Sequence, residues 1–157
     1  MKLYRHALPL AAAILLLPNA LAVAGDWVQV EDAYARAVPP GQPNSAVFMS
    51  LTNTGSEDGA VTGAESDVSE VVELHTHIVG EDMMRMRKVE RINLPAGETV
   101  TLKPGGLHVM LIGLKSTLAP GDLVGLTLIY EDDSRTDLIV PVKRIEHSMQ
   151  HEHHHGE

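Results

Sequence analysis

Thirteen glycines and nine prolines punctuate the 157 residues at short intervals. The runs between them are rich in Val, Leu, Ile and Thr, and none keeps a 3.6-residue period over ten residues. A chain cut this way has no room for long helices and is confined to short strands joined by tight turns. The pattern predicts strands near 27–36, 46–53, 60–65, 69–79, 83–93, 98–103, 107–114, 123–130 and 135–143. Between them stand turn formers such as Pro39-Pro40-Gly41, Pro95-Ala96-Gly97, Pro104-Gly105-Gly106 and Pro120-Gly121. The fold class expected is all-β, a sandwich or Greek-key barrel.

The N-terminus reads differently. Lys2 and Arg5 precede the apolar run Ala7–Leu17, Pro18-Asn19 breaks it, and Ala22-Val23-Ala24 offers small residues for cleavage. This is the order of a secretory signal peptide, and its eleven-residue core is too short to span a bilayer of ~30 Å. The expected organisation is a signal over 1–24, one domain over 25–144 and a tail over 145–157, with an exported product and no stable membrane insertion. The compartment is the periplasm if the source is a two-membrane bacterium.

Composition then removes whole classes of function. Formal charge is −9, with 12 Lys+Arg against 21 Asp+Glu; without Lys2 and Arg5 it becomes −11. Such acidity opposes phosphate-backbone binding, and four aromatics beyond the signal offer no base-stacking platform. Nucleic acid is not an expected partner. The absence of cysteine excludes disulfides, thiol chemistry, Fe–S clusters, Cys-based zinc and blue-copper centres, and a lipid-anchored cysteine. No His-Glu-x-x-His helix, Gly-x-Ser-x-Gly elbow or phosphate loop is present, so an enzyme is not expected.

Histidine and methionine remain. If Gly80-Glu81 centres a two-residue hairpin, His75 lies opposite Met86 and His77 opposite Met84, all four on one face. His108 and Met110, two apart on another strand, also share a face. Thioether sulfur is soft, neutral and carries no proton, so a His–Met set favours Cu(I); zinc would call for Cys or carboxylate. Neutral ligands around a monovalent ion suit a site that holds copper and releases it. The pattern alone leaves open the competing reading, methionines as core filler and histidines as ordinary strand residues. The last residues, with His147, Met149, His151, His153, His154 and His155, read as a disordered metal-binding tail suited to nitrogen-favouring Cu(II).

The spacing His75, ten residues, Met86, twenty-one residues, His108, one residue, Met110 resembles the H-x10-M-x21-H-x-M motif of the PCu(A)C periplasmic copper chaperones. Met84-Arg85-Met86-Arg87, Leu94-Pro95-Ala96-Gly97, Lys103-Pro104-Gly105-Gly106-Leu107-His108 and Tyr34-Ala35-Arg36 also look like that family, from about Trp27 to Lys143. The resemblance implies a cupredoxin-like β-sandwich that binds one Cu(I) through His75, Met86, His108 and Met110. His77 and Met84 are then neighbours or further candidate ligands. It also implies copper delivery to the Cu(A) centre of cytochrome c oxidase, sometimes with a thiol-containing assembly partner; a monomer is expected. Two other readings stand beside it: a copper-scavenging protein without a specific acceptor, and a structural β-domain whose metal affinity lies only in the tail.

Overall fold

Alternation decides how the strands bury themselves. In the run Asn44–Asn53, Val47, Met49, Leu51 and Asn53 point one way and are fully or nearly fully buried. Strand parity of this kind recurs along the chain, and the computed structural model, which describes residues 26–79 and 84–145, contains ten strands. They are β1 (Val28–Arg36), β2 (Asn44–Asn53), β3 (Gly59–Glu65), β4 (Ser69–Val79), β5 (Met84–Lys88), β6 (Ile92–Leu94), β7 (Thr99–Leu102), β8 (His108–Leu114), β9 (Leu123–Tyr130) and β10 (Arg135–Lys143). Among the described residues no helix is long and apolar enough to cross a membrane. The expected signal and the tail from residue 146 lie outside the described residues.

The strand order is β5-β4-β8-β2-β1-β10-β9-β3-β6, with β7 also pairing β2. One short parallel contact, Ala35 to Val142 and Arg36 to Lys143, joins the β5-β4-β8-β2-β1 half to the β10-β9-β3-β6 half. All other pairings are antiparallel. Both halves contribute to one hydrophobic core: Val47, Leu51, Leu74, Val109 and Leu111 from the first, Val61, Ile92, Leu126, Leu128 and Val140 from the second. Each such side chain contributes roughly 1.5–3 kcal/mol when fully buried. The result is the all-β sandwich that the sequence pattern predicts, of the cupredoxin-like kind that the resemblance implies.

Two expectations need correction. The run 83–93 is not one strand. It breaks at Val89-Glu90-Arg91, so that β5 joins the outer edge of the first half and β6 pairs β3 at the edge of the second. The physical reason is visible in burial: Arg85 to Lys88 are exposed, whereas Ile92 and Leu94 are buried and must reach the core from the opposite sheet. A buried amide marks the same crossing. Asn53, with no exposure, donates from Nδ2 to the carbonyls of Glu57 and Leu94, and its Oδ1 accepts from the Gly55 amide.

The second correction concerns the β4–β5 register. His77 pairs with Met86, His75 with Lys88 and Val79 with Met84. The expected partners, His75 with Met86 and His77 with Met84, are displaced by two residues. The connection is therefore longer than a two-residue turn, and residues 80–83 lie outside the described residues. A two-residue slip preserves parity, so His75, His77 and Met86 still belong to one face of the sheet.

Candidate metal centre

The face opposite the hydrophobic core carries the candidate ligands. On β4, Leu74 points into the core, so Glu73, His75 and His77 point outward. On β8, Val109 and Leu111 are core, which sends His108 and Met110 to the same outer face. Register then sets the neighbours: His75 opposes His108, Glu73 opposes Met110, and Met110 opposes Ala46 of β2. Met86 reaches the group from the edge strand β5 opposite His77.

The three imidazoles cluster. The His77 and His108 ring centroids are 5.2 Å apart, and those of His75 and His108 5.8 Å. Phe48 packs on His108 at 6.2 Å and Tyr34 on Phe48 at 5.4 Å, forming an aromatic wall on β2 and β1. His77, Met86, His108 and Met110 line one cavity of about 330 Å³, closed on one side by Pro104 and Gly105. Gly105 adopts a φ of 80°, a conformation that a side chain would strain, and this turn brings the loop over the cavity. His75 stands beside the cavity against His108 rather than on its lining. Met84 is placed by register alone, and the tail residues His147, Met149, His151, His153, His154 and His155 lie outside the described residues.

Hydrogen bonding separates the ring nitrogens. His108 is only 2% exposed, and its Nδ1–H donates to the Gly106 carbonyl at 3.0 Å, which leaves Nε2 with a free lone pair. Burial pushes the His108 ring below the ordinary imidazole range; the Gly106 carbonyl opposes the shift, while His77 and His75 add to it. His108 is thus held neutral, the form that ligates metals. His75 Nε2 meets Glu73 Oε2 at 2.8 Å, and Lys88 Nζ donates to Glu73 Oε1 at 2.9 Å. Hydrogen bonds from His75 and then Lys88 hold the Glu73 carboxyl below its usual range.

Two buried nitrogens, Nδ1 of His75 and Nδ1 of His77, have no hydrogen-bond partner. An unpaired buried polar atom costs about 1–3 kcal/mol. In a cluster of imidazoles and thioethers, such atoms fit a bound soft metal ion. Among the described residues no three His, Asp or Glu side chains form a metal-binding group by themselves, so a full coordination shell here would draw on methionine sulfur. A second cavity, of about 350 Å³ around Trp27, Glu57, Asp58 and Asp132, is lined by neither His nor Met.

The alternation read from the sequence groups the His and Met residues strand by strand but does not show three features: Glu73 on His75, Phe48 against His108, and His77 in the cavity lining where the motif points to His75. The alternation Glu73, His75, His77 was itself a usable signal for the first.

The described domain is similar to known proteins over nearly its whole length. Among solved structures, the Cu(I) form of DR1885 from Deinococcus radiodurans is 32% identical, with a TM-score of 0.61 over 81% of this chain and 82% of that one. A copper-bound PCuAC domain from PmoF2 superposes with a TM-score of 0.64 over 76% of this chain and 94% of that domain, at 23% identity, a likeness of fold. A protein of Leifsonia xyli subsp. xyli named "Putative lipoprotein Lxx21020" is 37% identical over 119 residues, 75% of this chain and 70% of that protein. The Rickettsia prowazekii protein RP573 is 34% identical over 101 residues, and the match spans 55% of its length. The family model described as "Putative lipoprotein LpqE-like" matches residues 28–142, and the chain belongs to that LpqE-like family.

Proposed function

We propose that this protein is an exported copper chaperone that holds one Cu(I) through His75, Met86, His108 and Met110 and passes it to the Cu(A) site of cytochrome c oxidase. The observation that carries the reading is the outer-face cluster, in which imidazole and thioether side chains meet around buried nitrogens that no protein group satisfies. Copper is cargo here, and the chain acts as a carrier, not an enzyme. The similar DR1885 structure, a Cu(I) form at 32% identity, supports the same metal, and the lipoprotein name of a relative supports export.

The placement of the donors suits release as well as capture. His108 is buried, whereas Met86 is 54% exposed on the edge strand. An acceptor can approach the exposed thioether and exchange ligands one at a time, while the imidazole side remains fixed. A thiol-containing assembly partner would compete well for Cu(I) at such an edge. His77, beside Met86 in the cavity, is available as a further donor, and Met84 is kept as a candidate by its place on β5. To the His-rich residues after Ile145 we assign capture of Cu(II), which favours nitrogen donors. The protein acts as a monomer in this reading.

An anaerobic Cu(I) competition titration tests the site, comparing the natural chain and a chain ending at Arg144 with the Met86→Ala, Met110→Ala double variant. One tight equivalent in the first two, lost or much weakened in the third, is expected. No tight site in the tail-less chain would confine metal binding to the tail. Loss of oxidase activity in a deletion strain is expected for delivery; copper sensitivity alone would favour scavenging.

A further inference from the structure

We propose that Glu73, steadied by Lys88, is a positioning residue that fixes the tautomer of His75 and makes Nδ1 its metal-donor atom. The inference rests on the copper site proposed above and goes beyond it, since a ligand set names residues but not which nitrogen of each binds.

An ionised carboxylate only accepts, so the 2.8 Å contact between Glu73 Oε2 and His75 Nε2 places the proton on Nε2. The lone pair then resides on Nδ1, the nitrogen that is buried and lacks any partner. The other carboxylate oxygen, Oε1, is occupied by Lys88 Nζ at 2.9 Å. Lys88 is the cross-strand partner of His75, so the β4–β5 register itself brings the ammonium to the carboxylate. His108 is arranged the opposite way: its Nδ1 proton is given to the Gly106 carbonyl, and Nε2 is left as donor. The two opposed histidines therefore bind through different nitrogens, one oriented by a carboxylate and one by a backbone carbonyl. Outer partners of this kind orient a ligand and raise its basicity, and their loss typically costs about 10–100-fold in metal affinity.

The test uses the full mature chain labelled with ¹⁵N. Long-range proton–nitrogen correlations of the metal-free protein at pH 8 report imidazole tautomers, with His75 assigned by its loss in His75→Gln. The expected result is His75 in the Nε2–H form in the natural protein and in Glu73→Gln, whose amide oxygen still accepts, and a shift away from that form in Glu73→Ala. Anaerobic Cu(I) competition should show Glu73→Ala weakened by about 10–100-fold, with Glu73→Gln retaining most of the affinity. Tight Cu(I) binding with His75 in the Nδ1–H form overturns the positioning role alone, as does a Glu73→Ala chain with unchanged tautomer and affinity. A natural chain that keeps the expected tautomer but takes up no Cu(I) overturns the copper site, and the role of Glu73 toward metal with it.

Discussion

His108 and Val109 are consecutive residues of one strand, buried to 2% and 0% exposure, yet they face opposite sides of the same sheet. Val109 joins Val47, Leu74 and Leu111 in a core that makes no polar demands. His108 sits among Phe48, His75 and His77, with one ring nitrogen bonded to a carbonyl and the other free. Burial alone therefore does not tell a packed core from a binding face. The two faces differ in what their buried atoms still need: carbon needs only contact, whereas an unpaired imidazole nitrogen needs a proton donor or a metal.

Substitutions that act on one face only should pull the two functions apart. The largest effect is expected from Met86→Ala with Met110→Ala. Losing two of the proposed ligands should weaken Cu(I) binding by more than the about 10–100-fold that an outer partner costs, with little change in the melting temperature of the metal-free protein. A large drop in melting temperature would mean that these methionines are packing residues. On the inner face, Leu111→Ala should destabilise the fold by about 2–5 kcal/mol in chemical denaturation. The molecules that remain folded should still bind one Cu(I); loss of that equivalent at low denaturant would show the faces to be coupled.

Asn53→Ala, remote from the metal face, removes the donor that serves the Glu57 and Leu94 carbonyls. It should cost about 1–3 kcal/mol per buried group left unpaired and leave Cu(I) affinity unchanged.

The smallest effect concerns pH. The His108 pKa is lowered by burial in the folded protein. Between that lowered value and the unfolded value of ~6.5, the unfolded chain binds more protons than the folded one. Stability present above pH ~6.5 should thus be lost as pH falls through the folded pKa, with a slope of at most about 1.4 kcal/mol per pH unit for one proton. Denaturation of His108→Gln across the same range should show a flatter profile, and an unchanged slope would assign the effect to other groups. Cu(I) affinity should weaken in acid as well, because protons compete for imidazole but not for thioether; a flat profile from pH 5 to 8 would count against histidine ligands.

Much of this organisation was legible without coordinates. Turn residues at Pro95-Ala96-Gly97 and Pro104-Gly105-Gly106 bounded real strands, and Gly97 and Gly105 both take the positive φ expected of such turns. Parity placed His75 with His77, and His108 with Met110, because alternation is a local property of an extended chain; that the two sets share one face of the sheet follows only from β4 pairing β8. Register was less accessible. The length of the 80–83 connection does not follow from a Gly-Glu dipeptide, and a slip of two residues leaves the hydrophobic pattern unchanged, so nothing in the pattern could choose between the two pairings. The split of the 83–93 run was likewise hidden, since Ile92 and Leu94 continue an acceptable strand alternation and become different only when a second sheet is there to receive them.

The sequence by itself determined the all-β class, the turn positions, the alternation that puts His108 with Met110 and His75 with His77 on a side, and the chemistry of the His–Met set, because these depend on residue type and on short-range geometry. Only the tertiary structure decided that this face lies outside the core, that His77 rather than His75 is the cross-strand partner of Met86, and that Glu73 and Gly106 orient opposite nitrogens on His75 and His108. Those outcomes depend on which strands become neighbours, and that choice is made by burying one face of every strand at once.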